Sequence, residues 1–166
     1  MPINGSWSGM RRYLEDDMLC NSLKGRIRYD ATTYVGMEGD CVFSVFVDSK
    51  RIVSFSMEHM AGQIRKTAED KSKDAFWKNF WKVKNIPITE REVFDDQEFT
   101  DALEIYRQSD INTSLESNNQ IVRMFAVLDR RVGKRTLEKL KGIENNQPEW
   151  LKFFYILRFE AENIAI

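Results

Sequence analysis

The sequence predicts an α+β fold, with an N-terminal helix and a three-stranded antiparallel meander followed by a helical C-terminal half, and three observations carry that prediction. Between Arg26 and Ser56 apolar residues alternate with period two as far as Val35 and are then rich in β-branched and aromatic types, the marks of strands. They recur at helical spacing before that segment and again from Met57 to the end. Capping signals punctuate the second half, while its strand signals are weak. With 166 residues, the chain suits one domain, residues 1–166, with sub-regions 1–56 (helix and sheet) and 57–166 (helical).

The first helix is expected from Trp7 to about Leu19, where Trp7, Met10, Leu14 and Met18 share a face, and Gly25 offers its C-terminal stop. In "RIRYDATTYVG", Ile27, Tyr29, Ala31, Thr33 and Val35 face inward while Arg26, Arg28, Asp30, Thr32 and Tyr34 face out. "MEGD" turns the chain into a second strand, "CVFSVFVD"; "SK" then connects it to a third, "RIVSFS".

"MEHMAGQIRKTAED" reads as a helix weakened by Gly62, followed by a polar loop, "TAEDKSKD". In "KDAFWKNFWKVK" the aromatics Phe76, Trp77, Phe80 and Trp81 read as one broad core face. The other reading is a single-strand-binding platform in which they stack bases and Lys78, Lys82 and Lys84 meet phosphates. Capping patterns begin at Thr89, Asp95 and Ser117, and Asn146 with Pro148 starts an apolar final helix from Trp150 to Phe159.

Lys+Arg (25) and Asp+Glu (26) nearly cancel, so any basic site must be local. No signal-peptide-like h-region or spanning segment is evident, and Cys20 and Cys41 have no disulfide or zinc spacing. The expectation is a cytoplasmic protein with reduced cysteines and no membrane association. His59, the only histidine, lacks a metal or nucleophile pattern around it and reads as structural or surface. Asp95-Asp96 reads as a helix cap, because adjacent helical carboxylates diverge; no glycine-rich phosphate loop exists. No catalytic, cofactor-binding or metal-binding residues are assigned, and the chain is not expected to be an enzyme.

The distinctive stretch is "VRMFAVLDRRVGKRTLEKLK", Val122 to Lys141. On a helical wheel Ile121, Phe125, Leu128 and Val132 fall within roughly 60°, with Arg123, Arg130, Lys134 and Lys141 opposite. The same wheel carries Arg135 and Lys139 onto the apolar face and takes Leu137 and Leu140 off it. One straight helix therefore fails, and a break belongs near Gly133. Asp129 then becomes an internal partner for neighbouring arginines, a structural ion pair that pins two segments. A protein-partner surface is the second reading of this cluster and a nucleic-acid grip the third.

This stretch, with "WSGMRRYLEDDMLCNSLKGRIRYDATTYVGMEG" at the front, resembles an uncharacterised family of small bacterial cytosolic proteins over most of the chain. The resemblance implies a bacterial single-domain protein and transfers no catalytic or binding residue. Immunity proteins share this size and α+β make-up, by analogy alone. The expectation is a non-enzymatic protein that binds another protein, as an immunity or antitoxin-like partner does, through Arg26, Arg28, Asp30 and Tyr34 or through Arg130, Arg131, Lys134 and Arg135. The alternative is a nucleic-acid-binding module using the Arg123 to Arg135 cluster.

Overall fold

The computed structural model describes residues 6–33 and 41–166. Ser6 caps α1 (Trp7–Arg12), its hydroxyl accepting the Gly9 amide. The single helix expected to Leu19 is not what forms. Tyr13–Asp17 continues as a π-helical turn, and Leu19 is already extended, bridged to Asp129. The widened turn keeps Met10 and Leu14 buried while releasing the chain early enough for residues 18–20 to pair with the helical half. A 3₁₀ turn, Asn21–Leu23, follows, so Gly25 (φ 81°) serves the entry to the sheet rather than the end of the first helix.

The meander is as expected: β1 (Ile27–Thr33), β2 (Cys41–Val47) and β3 (Lys50–Phe55) pair in the order β1-β2-β3, both pairs antiparallel. The register sets Ile27 opposite Val47, Tyr29 opposite Val45 and Ala31 opposite Phe43, which puts the inward set on one face. The β2–β3 connection is Asp48–Ser49, one residue earlier than expected. Both have positive φ (49° and 68°), as a two-residue hairpin requires. Tyr34, Val35 and the "MEGD" turn lie outside the described residues.

The helical half comprises α2 (Met57–Thr67), α3 (Lys73–Lys84), α4 (Asp96–Gln108), α5 (Ile111–Leu115), α6 (Gln120–Leu128), α7 (Lys134–Lys139) and α8 (Glu149–Ala161). Gly62 is accommodated inside α2 at an exposed position. The "DDQE" cap forms a complete capping box between Asp95 and Glu98. Other caps differ from expectation. Thr89 starts no helix. Asn119 rather than Ser117 caps α6, because its carboxamide oxygen accepts from Ile121 and Val122. The residue before α8 is Pro148, with Asn146 in a preceding 3₁₀ turn.

The main core joins the inner sheet face to α4, α6 and α8, with Tyr29, Phe43, Phe55, Phe99, Phe125 and Phe154 buried. Phe43 stacks on Phe99 (4.4 Å between ring centroids), tying sheet to helices. Met60, Ile64 and Phe80 form a second, smaller cluster between α2 and α3. That hairpin therefore carries an apolar centre of its own.

Candidate functional site

The basic segment resolves into two helices, as its apolar pattern demanded. α6 stops at Leu128, α7 starts after Gly133, and residues 129–133 form the corner. Asp129 is 1% exposed and is the hub of that corner. Its carboxylate accepts Arg131 Nε (3.0 Å) and Nη2 (2.7 Å), the Arg131 amide (2.7 Å) and the Tyr106 hydroxyl. The side-chain bond to Asp129 raises the Arg131 pKa above its usual range; burial, then the nearby carboxylate, raises that of Tyr106. The corner also pairs with the N-terminal segment. Cys20 N donates to Leu128 O (2.9 Å) and Arg130 N to Met18 O (2.8 Å). Arg131 is thus an internal clamp, as expected for one of the arginines.

The other half of the clamp was hidden in the apolar run of α8. Arg158, 2% exposed, donates through Nη1 to Val127 O (3.0 Å) and Asp129 O (2.9 Å) and through Nη2 to Val132 O (2.7 Å). Its Nε meets Glu162 Oε1 (3.1 Å), which also accepts Ser22 Oγ (2.7 Å). The carbonyls that α6 leaves free at its C-terminus are collected by one fixed fork. A charged residue inside an otherwise apolar helix was the available sequence signal.

Arg123 belongs to no shared ridge. Its guanidinium donates to Ser117 O (2.7 Å) and to Gln147 Oε1 (2.9 and 3.2 Å), in the wall of a surface cleft of about 670 Å³. Arg130, Lys134 and Arg135 are exposed, and their side chains make no hydrogen bond or ion pair with the described residues. On the sheet's outer face, Arg26 forms a two-bond pair with Asp48 (2.9 Å each), which holds the Asp48 carboxyl below its ordinary range. Arg28 lies over the Phe46 ring (4.3 Å), and Asp30 accepts the Thr32 hydroxyl (3.4 Å). These residues face solvent but are engaged with their own sheet. Tyr34, the fourth of that set, falls outside the described residues.

α3 corrects the expectation of one broad core face. Phe80 is buried and Phe76 half-buried, but Trp77 is 47% and Trp81 57% exposed. The wheel separates the two sets: Phe76, Phe80 and Val83 span roughly 60°, and the tryptophans lie about 110° away from them. Reading four aromatics as one face missed this division. Each indole meets its Phe80 neighbour edge-on, Trp77 at 5.6 Å and Trp81 at 5.4 Å, leaving outer surface to solvent. Lys78 and Lys82 flank the pair and have no hydrogen bond or ion pair among the described residues. Lys84 is spent internally on Asp95 and Glu98. A base-stacking platform using it as a phosphate contact therefore loses one cation.

Beside Trp77, the elbow between α2 and α3 encloses a pocket of about 410 Å³. Phe76 and Trp77 form its aromatic wall, Ala68 its small-residue side, and Arg65, Lys71 and Lys73 its cationic margin. The Arg65 guanidinium lies 4.5 Å from the Phe76 ring centroid, and Lys71 caps the end of α2 through Arg65 O.

His59 is exposed on α2. Partial burial, then the nearby Arg51 charge, lowers its pKa, which favours neutral imidazole. Cys20 is buried and Cys41 half-buried, and neither is in a disulfide among the described residues. Among the described residues no three His, Cys, Asp or Glu side chains converge as a metal site, and no helix is long and apolar enough to cross a membrane.

Residues 6–159 match the SF0329 protein family, so the chain belongs to that family, an uncharacterised one, in line with the resemblance of its motifs. No curated protein and no solved structure matches.

Proposed function

We propose that this member of the SF0329 protein family acts by binding another protein in the bacterial cytoplasm, with the Trp77 and Trp81 face of α3 as the contact surface. The observation that carries the reading is that exposed tryptophan pair, set one helical turn apart on a hairpin with its own apolar cluster. Large half-exposed indoles cost solvation in the free protein, and tryptophan is among the residues most enriched where interfaces concentrate their energy. The hairpin's separate cluster supports the reading further, because the face can be varied without disturbing the main core. A partner that this protein neutralises, as an immunity protein does a toxin, fits the size and α+β make-up by analogy.

The test is a photo-reactive amino acid at position 81 in a bacterial host carrying the gene, with position 16 as an exposed control. The expected result is one dominant protein adduct from position 81 and none from position 16. Equal labelling from both positions, or no adduct, counts against the reading.

A second reading rests on Arg130, Lys134 and Arg135, which are exposed at the corner before and within α7. It is a nucleic-acid contact, and it requires affinity that falls steeply with salt. Filter binding of duplex and single-stranded oligonucleotides between low and moderate salt tests it. A flat response ends it.

A further inference from the structure

The α2–α3 elbow has a composition that specifies more than an apolar docking face. Between residues 57 and 86 there are seven Lys or Arg and four Asp or Glu, in a chain whose totals nearly balance. The side chains of Lys66, Lys73, Lys78 and Lys82 make no hydrogen bond or ion pair with the described residues. Asp70, the carboxylate in the pocket lining, is occupied by the Ser72 amide (2.9 Å). The pocket's volume, about 410 Å³, lies within the range of sites that enclose a small ligand or a large side chain. Its aromatic wall is continuous along α3 with the exposed tryptophans.

We infer that the elbow receives an acidic segment of a partner protein, inserting one aromatic or large aliphatic side chain against Phe76 and Trp77 while neighbouring carboxylates meet Lys73 and Lys78. This rests on the protein-binding reading above and names the partner's chemistry. Charge complementarity selects the occupant: Arg65, Lys71 and Lys73 line the pocket beside Phe76 and Trp77, Lys78 follows Trp77 on α3, and burying a carboxylate-flanked apolar anchor satisfies both features at once. A nucleic-acid strand fits less well, because the cations Arg65, Lys71 and Lys73 gather at the margin of one pocket, with Asp70 among them, rather than spacing along a groove that tracks a backbone. The near-zero net charge of the chain also provides no long-range attraction for a polyanion.

Peptide display on the full chain, counter-selected against a Trp77→Ser/Trp81→Ser variant, tests the assignment. The expected enriched peptides carry an aromatic or large aliphatic residue beside Asp or Glu. A synthetic one should bind at least about tenfold more weakly to Trp77→Ala, as loss of a central anchor does. Lys73→Glu/Lys78→Glu should lose the acidic peptide and bind its Lys-substituted counterpart. Both variants alter exposed positions, and circular dichroism checks that they fold. Enrichment at this face without acidic bias overturns the inference and leaves the protein-binding reading standing. Binding of an oligo-dT strand or of phosphatidylserine vesicles through Trp77 and Trp81, with no peptide selected, overturns both. No enrichment and no binding of either probe overturns the elbow assignment.

Discussion

Replacing Arg158 by Met keeps the length and apolar stem of the side chain and deletes the fork that satisfies three buried main-chain carbonyls. Val127 O and Val132 O lose donors at 3.0 and 2.7 Å; Asp129 O loses one at 2.9 Å but keeps the Val132 amide (3.1 Å), and Glu162 loses its 3.1 Å partner but keeps the Ser22 hydroxyl (2.7 Å). Each buried acceptor left without a donor costs about 1–3 kcal/mol, offset by removal of the desolvation cost of the guanidinium itself. The expected net loss is about 3–5 kcal/mol, a large part of the ~5–15 kcal/mol typical of a domain. At this chain length it corresponds to roughly 6–20 °C in Tm. Urea denaturation measures the loss. Hydrogen exchange locates it, because the Cys20 and Arg130 amides that bond across to Leu128 and Met18 should lose protection before those of the sheet. Arg158→Lys should rescue little, since one ammonium cannot span the same acceptors. A loss below about 1 kcal/mol, with those amides still protected, would refute the claim that Arg158 holds the corner.

Arg91 provides the contrast. It is 6% exposed, pairs with Glu98, and has Nε and Nη1 buried without partners. Since Lys84 still serves Glu98, Arg91→Leu should cost less than about 2 kcal/mol, measured in the same urea series. Phe80→Ala empties the small cluster and should cost about 3 kcal/mol, while Trp81→Ala should stay within about 0.5 kcal/mol in stability. For His59 the lowered folded-state pKa means the unfolded chain takes up its proton first as pH falls. Stability should therefore decline as pH drops below about 6.5 toward the folded-state pKa, and His59→Gln should flatten that slope in thermal scans. An unchanged slope would show that another group sets it.

The periodicities that could be read are those in which one face of an element meets one neighbour. β1 alternates because Ile27 and Tyr29 pack on the main core while Arg26 and Arg28 face solvent, and the break at Gly133 is visible because two apolar stripes cannot share one straight helix. The misread elements are those whose residues answer to distant partners. The first helix gives way to a π turn because residues 18–20 must reach the α6–α7 corner, more than a hundred residues away in sequence. Gln120, three residues after Ser117, is buried, with its amide donating to Ile88, Thr89 and Arg91 carbonyls while its oxygen accepts from Trp150. Local patterns carry no trace of such long-range acceptors.

The same distinction separates the two clusters that looked basic in sequence. Guanidinium groups near Asp129 and the α6 terminus meet acceptors whose positions are fixed by chain geometry, so Arg131, Arg158 and Arg123 are consumed in holding the corner and its surroundings. Apart from Lys84 at its end, the lysines along α3 have no such acceptors within reach, since that helix packs on a small cluster through Phe76, Phe80 and Val83 and turns its other side outward. A long flexible ammonium on such a surface loses little by staying hydrated, whereas an exposed indole gains by being covered. An interaction surface is then most economically built from α3 and its elbow, with the arginine corner acting as the rigid frame.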